Sequence, residues 1–253
     1  MQISRLAAGV FILFFGLSVA SPVVAKESGA LTPEQRQEIK NLVQQYLLDN
    51  PKVILESVQR LQDQEQAAKR AHTKNALTLS HQKLNNDPDS PVAGNPKGDV
   101  TVVEFFDYRC GYCKKVHPSI MKSIETDKNV RYVFKEFPIL GPESVVASKA
   151  ALAVSRVSPT KYYAYHNIVM GARGSLTKTA LLKMAADVGV NPDTVEKEMA
   201  SPEIENIIKK NYALAQSLNI SGTPAFVIGD QLVPGAMDYG TLERMIAEIR
   251  AKG

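Results

Sequence analysis

The chain has 253 residues, 44% of them hydrophobic and 22% charged, and 30 basic against 26 acidic side chains leave a formal charge of +4. Acids and bases are interspersed without a concentrated basic face, so nothing argues for nucleic acid. Two cysteines in so long a chain exclude a small scaffold stapled by many disulfides.

Residues 1–25 read as a secretory signal peptide. Arg5 supplies a positive charge, Leu6 to Ala20 form an apolar run through Phe11-Ile12-Leu13-Phe14-Phe15, and Val23-Val24-Ala25 offers small residues for cleavage. The apolar run is shorter than the roughly 20 residues of a membrane-spanning helix. Cleavage is therefore expected after Ala25, with Ser18-Val19-Ala20 as the competing site. No later segment is apolar enough to span a bilayer, and the mature chain reads as a soluble exported protein.

Residues 26–84 read as a helical arm. In Leu31-Thr32-Pro33-Glu34-Gln35, Thr32 suits a cap, Pro33 the first helical position and Gln35 the capping-box position. Ile39, Leu42, Val43, Tyr46 and Leu47 follow at helical spacing. Asn50 is expected to cap a second helix with Pro51 at its start. That helix carries Val53, Ile54, Leu55, Val58 and Leu61, turns polar from Gln62 to Arg70, and continues past Ala76. Too little apolar sequence lies nearby to cover these stripes, so self-association is expected. Two other readings stay open: the arm folds back on its own domain, or its polar half is a solvated spacer. No heptad repeat is long enough to fix the number of chains. Residues 85–99 read as a linker rich in turn residues, from Asn85 to Pro91, followed by a first short strand.

Residues 100–253 read as the main domain. Val100 to Phe106 is a β-branched and aromatic run suited to a buried strand, Lys114 to Asp127 a helix, and Asn129 to Lys135 an alternating strand. A right-handed crossover should make the two strands parallel. About 143–218 is helical, with breaks at Ser158-Pro159, Gly171 to Gly174, Gly189 to Pro192 and Ser201-Pro202. Ala225 to Ile228 and Gln231 to Val233 read as a hairpin about Gly229-Asp230. A last helix starts near Met237 and carries Leu242, Met245, Ile246 and Ile249.

Cys110 and Cys113 stand at the first strand-to-helix turn, where unpaired N–H groups and the helix dipole favour thiolate over thiol. Cys110 reads as the exposed nucleophile. Cys113, nearly one turn further on the same face, reads as the thiol that attacks a mixed disulfide formed at Cys110. A structural disulfide and half of a metal site remain open, although so small a loop is a poor staple and a metal would need ligands from elsewhere. One C-x-x-C alone in an exported chain points to catalysis.

The order β-α-β, helices, β-β-α, with the dithiol at the first helix, resembles the thioredoxin fold interrupted by a helical domain, as in the DsbA family of exported thiol-disulfide oxidoreductases. Val102 to Phe106 followed by Cys110-Gly111-Tyr112-Cys113 is similar to the family's active-site segment. Ser221-Gly222-Thr223-Pro224-Ala225-Phe226 is similar to its cis-proline segment. The pairing of Gly111-Tyr112 with Thr223 looks like that of the disulfide isomerase DsbC, and with the arm the chain resembles the ScsC (suppressor of copper sensitivity) and Com1 group.

This resemblance implies an α/β thioredoxin fold with an inserted helical domain, and a periplasmic disulfide isomerase or reductase acting on misoxidised proteins. A DsbA-like oxidase is the close alternative. From another class, a copper-tolerance protein would hold Cu(I) at Cys110 and Cys113, a soft ion suited to thiolates. The implied cofactor is only the redox-active disulfide Cys110–Cys113, with no dedicated metal site. Implied partners are thiol- or disulfide-bearing proteins, a DsbD-like membrane donor (a DsbB-like oxidant for an oxidase), and further copies of the chain in a dimer or trimer through the arm. Thr223, Pro224, Gly111 and Tyr112 would bind substrate, with the Thr223-Pro224 bond cis. Glu104, an acid costly to bury in an apolar strand, would relay protons to Cys113; the alternative is a strand-end residue in water. Lys135 is a candidate partner for Glu104.

Arg109, Lys114 and Lys115 are expected to add positive potential around Cys110, subject to screening. His117 reads as a packing or helix-surface residue, with a copper or zinc ligand as the alternative, and His72, His81 and His166 show no ligand spacing. Tyr162, Tyr163 and Tyr165 read as helix packing.

Overall fold

The computed structural model describes residues 31–252. The signal-peptide reading of residues 1–25 lies outside the described residues. The chain divides into two units, one reaching to Leu61 and the other running from Gln62.

In the first unit, α1 (Pro33–Asp49) opens on the expected capping box. The Thr32 hydroxyl accepts from the Gln35 N–H at 3.2 Å, and the Gln35 side chain accepts from the Thr32 N–H at 3.0 Å. No α1 residue is buried, and Leu42, Val43, Tyr46, Leu55, Val58 and Leu61 stand exposed. Contrary to the expectation that it caps the second helix, α2 (Lys52–Asn85), Asn50 closes α1 as its C-cap. Its backbone N–H and its side-chain amide both reach back to the Tyr46 carbonyl at 2.9 Å, because an amide donor is best used on the orphan carbonyls that close α1.

The second unit is built on a five-stranded sheet in the order β1-β3-β2-β4-β5. The strands are β1 (Val92–Gly94), β2 (Val100–Phe106), β3 (Val130–Glu136), β4 (Ala225–Ile228) and β5 (Gln231–Pro234). Only β2 and β3 run parallel, joined through α3 (Gly111–Thr126). Between β3 and β4 lies the helical insertion: α4 (Pro142–Val157), a 3-10 turn, α5 (Tyr162–Gly171), α6 (Lys178–Asp187), α7 (Pro192–Met199) and α8 (Pro202–Ser217). The last helix, α9 (Tyr239–Arg250), is capped by Asp238, whose side chain accepts from the Thr241 N–H.

Alternation along β2 sorts the core into two layers. Val102 and Phe106 join the larger cluster with α3 and the insertion, whereas Val103 and Phe105 join Val133, Phe137 and Leu214 on the other face. Leu77 and Leu84 of α2 belong to that second layer. Asn85 to Pro91 end the helix as its turn residues suggested, but the last turns of α2 pack as part of the catalytic unit, which begins well before residue 85.

The same alternation separates Glu104 from Lys135. Glu104 stands opposite Phe134 and Phe105 opposite Lys135, so acid and base face opposite sides of the sheet. Lys135 is instead fully buried against the linker, donating to the Lys83 carbonyl at 2.7 Å, Asp87 Oδ2 at 2.8 Å and Ser90 Oγ at 2.7 Å. Burial tends to raise the Asp87 carboxyl, and the Lys135 contact overcomes it; on Lys135 burial prevails, and the amine is lowered.

Candidate active site

β2 delivers the chain to the turn of residues 107–110. Cys110 is the N-cap of α3, in extended conformation, with its carbonyl accepting the Lys114 N–H at 3.1 Å. Its side chain offers only a sulfur there and makes no cap bond, which leaves the first-turn N–H groups available to a developing thiolate. Cys110 is less open than expected, at 6% exposure, and its thiol donates to the Thr223 carbonyl at 3.2 Å. The Thr223–Pro224 peptide is cis. Both cysteines are thiols in this structure.

Cys113 faces inward and is fully buried. Burial pushes its thiol far up, and the nearby Glu104 carboxyl adds to the effect. Glu104 is itself fully buried, and burial raises it to about 8 against a partly compensating hydrogen bond from the Tyr132 hydroxyl, 3.3 Å from Oε2. Its other oxygen, Oε1, has no partner. The acid expected to face water at a strand end, in the alternative reading, is thus sealed beside the inner thiol. Tyr112 is 66% exposed next to Cys110, and a side chain added at Gly111 would meet open space. These residues, with Thr223 and Pro224, form one site.

Two of the three charges expected to surround Cys110, Arg109 and Lys114, are directed elsewhere, while Lys115 stands exposed. Arg109 Nε lies 3.1 Å from Glu143, and its Nη1 donates to the Gly174 carbonyl at 2.7 Å. Lys114 Nζ donates to the carbonyls of Met170 and Ala172 at 3.2 and 2.6 Å. Both side chains therefore fasten the redox segment to the helical insertion. His117 is buried with its ring 5.1 Å from that of His166, and burial pushes its imidazole down to about 4. Among the described residues no group of three or more His, Cys, Asp or Glu is arranged to hold a metal. Tyr162 and Tyr165 are buried in the insertion.

Asp107, Tyr108 and Glu136 beside the site were given no role by the sequence reading, and His166 was read only as lacking ligand spacing. Asp107 Oδ1 accepts from the Arg109 N–H at 2.7 Å, and Oδ2 accepts from the N–H groups of Ile139 and Leu140 at 2.8 and 3.0 Å. Glu136 is a second fully buried acid, raised to about 8 by burial. Its signal was present, because it ends an apolar strand just as Glu104 interrupts one.

A cis-proline loop facing a dithiol at a helix N-terminus, on a sheet with one parallel β-α-β unit, defines the thioredoxin-fold oxidoreductases as a class. Residues 101–247 match the DSBA-like thioredoxin domain, and residues 35–68 match the copper resistance protein ScsC N-terminal domain. The chain belongs to the DSBA-like thioredoxin domain family of thiol-disulfide oxidoreductases. A thioredoxin-like oxidoreductase from Silicibacter pomeroyi is 42% identical, with 67% of this chain and 97% of that one covered and a TM-score of 0.64. A linker-deletion mutant of Proteus mirabilis ScsC is 31% identical over 89% of this chain and 99% of that one, with a TM-score of 0.68. Disulfide bond formation protein D of Bacillus subtilis is 25% identical over 180 residues, 64% of this chain and 78% of that protein. The chain spans only 25% of the length of two Na(+)/H(+) antiporters, from Salinispora arenicola and Salinispora tropica, that it also matches.

Proposed function

We propose that this chain is an exported, periplasmic disulfide isomerase or reductase that works as an oligomer on misoxidised proteins. The observation that carries the reading is the asymmetry of the dithiol: Cys110 keeps a small exposed part and lies against the Thr223 carbonyl, while Cys113 is fully closed off beside a buried acid. The exposed apolar side chains of α1 and early α2 supply a surface for self-association.

In isomerisation the Cys110 thiolate attacks a substrate disulfide, forms a mixed disulfide and releases one substrate thiolate. That thiolate attacks another substrate disulfide, and the last thiolate freed returns to the mixed disulfide and releases Cys110. No net electrons move. When this stalls, Cys113 loses its proton and attacks Cys110 Sγ; the Cys110–substrate bond breaks, the substrate leaves as a thiolate and the Cys110–Cys113 disulfide forms, so the substrate has gained two electrons and a DsbD-like membrane donor must restore the dithiol. Glu104 is the acceptor for the Cys113 proton. Thr223, Pro224 and Tyr112 would hold an extended substrate segment over Cys110.

The reading is tested with a scrambled multi-disulfide substrate. Cys110→Ala should abolish reactivation and Cys113→Ala should keep a measurable part of it. An oxidase would instead need both cysteines and rapidly oxidise reduced substrate. Stoichiometric copper retention with little turnover would favour the reading that the ScsC domain's description suggests.

A further inference from the structure

Under the redox turn lies a closed hydrogen-bonded centre that the exchange chemistry leaves unused. The Tyr108 hydroxyl donates to Glu136 Oε1 at 3.2 Å and lies 3.0 Å from His166 Nδ1. Tyr162 donates to the same Glu136 oxygen at 3.2 Å, and Ser148 to Oε2 at 2.7 Å. All five side chains are buried. With the Tyr108 hydroxyl donating to Glu136, the phenol oxygen accepts from His166 Nδ1–H, which leaves Nε2 the bare nitrogen; that atom is the one without a partner.

We propose that Tyr108 is a positioning residue for Cys110: its phenol, locked between Glu136 at the end of β3 and His166 of the helical insertion, fixes the turn that aims the Cys110 thiol at the Thr223 carbonyl.

The connection runs through few atoms. Tyr108 precedes Cys110 by two residues, and the Cys110 N–H donates to the Asp107 carbonyl at 3.0 Å. Asp107 holds the turn to the loop after β3, and Tyr108 holds it to β3 and α5. Asp107 and the half-exposed Arg109 hold the turn at residues on either side of Tyr108, and the phenol adds the fully buried pin between them. The ring also packs edge-on against Phe106 at 5.1 Å, so removal of the hydroxyl leaves its packing in place. The inference rests on Cys110 being the attacking thiol, which mass mapping of the alkylated residue checks independently of any isomerase assay.

The test uses the full chain carrying Tyr108→Phe, with Tyr162→Phe as the comparison. Both remove one hydroxyl from the same Glu136 oxygen, but only Tyr108 belongs to the turn. Tyr108→Phe is expected to slow Cys110 alkylation at neutral pH roughly tenfold, as small misplacements of reacting groups do. It should also shift the dithiol's equilibrium with glutathione at least about threefold. Tyr162→Phe should lower the unfolding temperature and leave both readouts at wild-type values. His166→Phe removes the phenol's other partner while keeping a ring beside Phe134, and should act like Tyr108→Phe, which also serves if the latter does not fold. Wild-type alkylation and equilibrium in the Tyr108 and His166 variants, or equal effects from Tyr162→Phe, would overturn the proposal.

Discussion

Cys113 has the harder task of the two thiols, because its proton must leave a site closed to water. Glu104, the proposed acceptor, lies close enough to raise that thiol and has an unpartnered oxygen, and because burial raises it to about 8 it would accept the proton only in its ionised form. Glu104→Gln should therefore slow release of mixed disulfides, seen as accumulated Cys110 adducts by mass spectrometry, without slowing their formation. Glu104 and Glu136 also make stability depend on pH. Both are raised from 4.5 to about 8, so the folded chain keeps protons that the unfolded chain has released, and stability is lost as pH rises through this window. His117, lowered from 6.5 to about 4, and His166, lowered well below 6.5, work in the opposite sense up to about pH 7. Above about pH 7 the carboxyls dominate, each costing up to about 2 kcal/mol between about pH 6.5 and 8. Glu136→Gln should roughly halve the fall in urea midpoint between pH 6.5 and 8.5; an unchanged fall would contradict the assignment. The cysteines, Glu104 and Thr223-Pro224 were legible in the sequence because each breaks a local rule or fits a spaced motif. Glu136 carried the same signal as Glu104, an acid in a buried strand, but Tyr108 and His166 were not legible, since each is ordinary in its own segment and joins a network only when β3 and α5 are folded against the turn.

At the scale of elements, β2 positions the chemistry and β3 fastens the linker. Lys135 shows how far a strand's register decides a residue's role. Its sequence place beside Glu104's strand suggested a pair, but one step of alternation sends it to the opposite face, where it pins Asp87 and Ser90. Removing one partner of a buried pair is costly. Lys135→Met should destabilise the chain by about 3 kcal/mol, measured as a shift in denaturant midpoint, and a loss below about 1 kcal/mol would show the pin to be dispensable. Strands, helices and the breaks between them followed from alternation, helical spacing and Gly/Pro punctuation. The Asn50 cap did not, because the same side chain can serve the helix behind it or the one ahead, and nothing local decides which.

On the whole-molecule scale, the apolar side chains of Leu42, Val43, Tyr46, Leu55 and Val58 were legible as a stripe and remain exposed within their own unit. What the sequence could not place was the division of the chain. Turn residues mark where α2 stops, whereas packing marks where the catalytic unit begins, and Leu77 and Leu84 lie between the two. An oligomer held by the arm would present several dithiols to one substrate and raise the effective concentration of the second encounter. The most direct measurement compares the chain from residue 26 onward with the same chain lacking residues 31–61, recording mass in solution and reactivation of a scrambled substrate for both. The account predicts an oligomer that reactivates and a monomer that still reduces disulfides but loses most reactivation. A monomeric intact chain, or a monomeric deletion that reactivates as well as the intact oligomer, would contradict it.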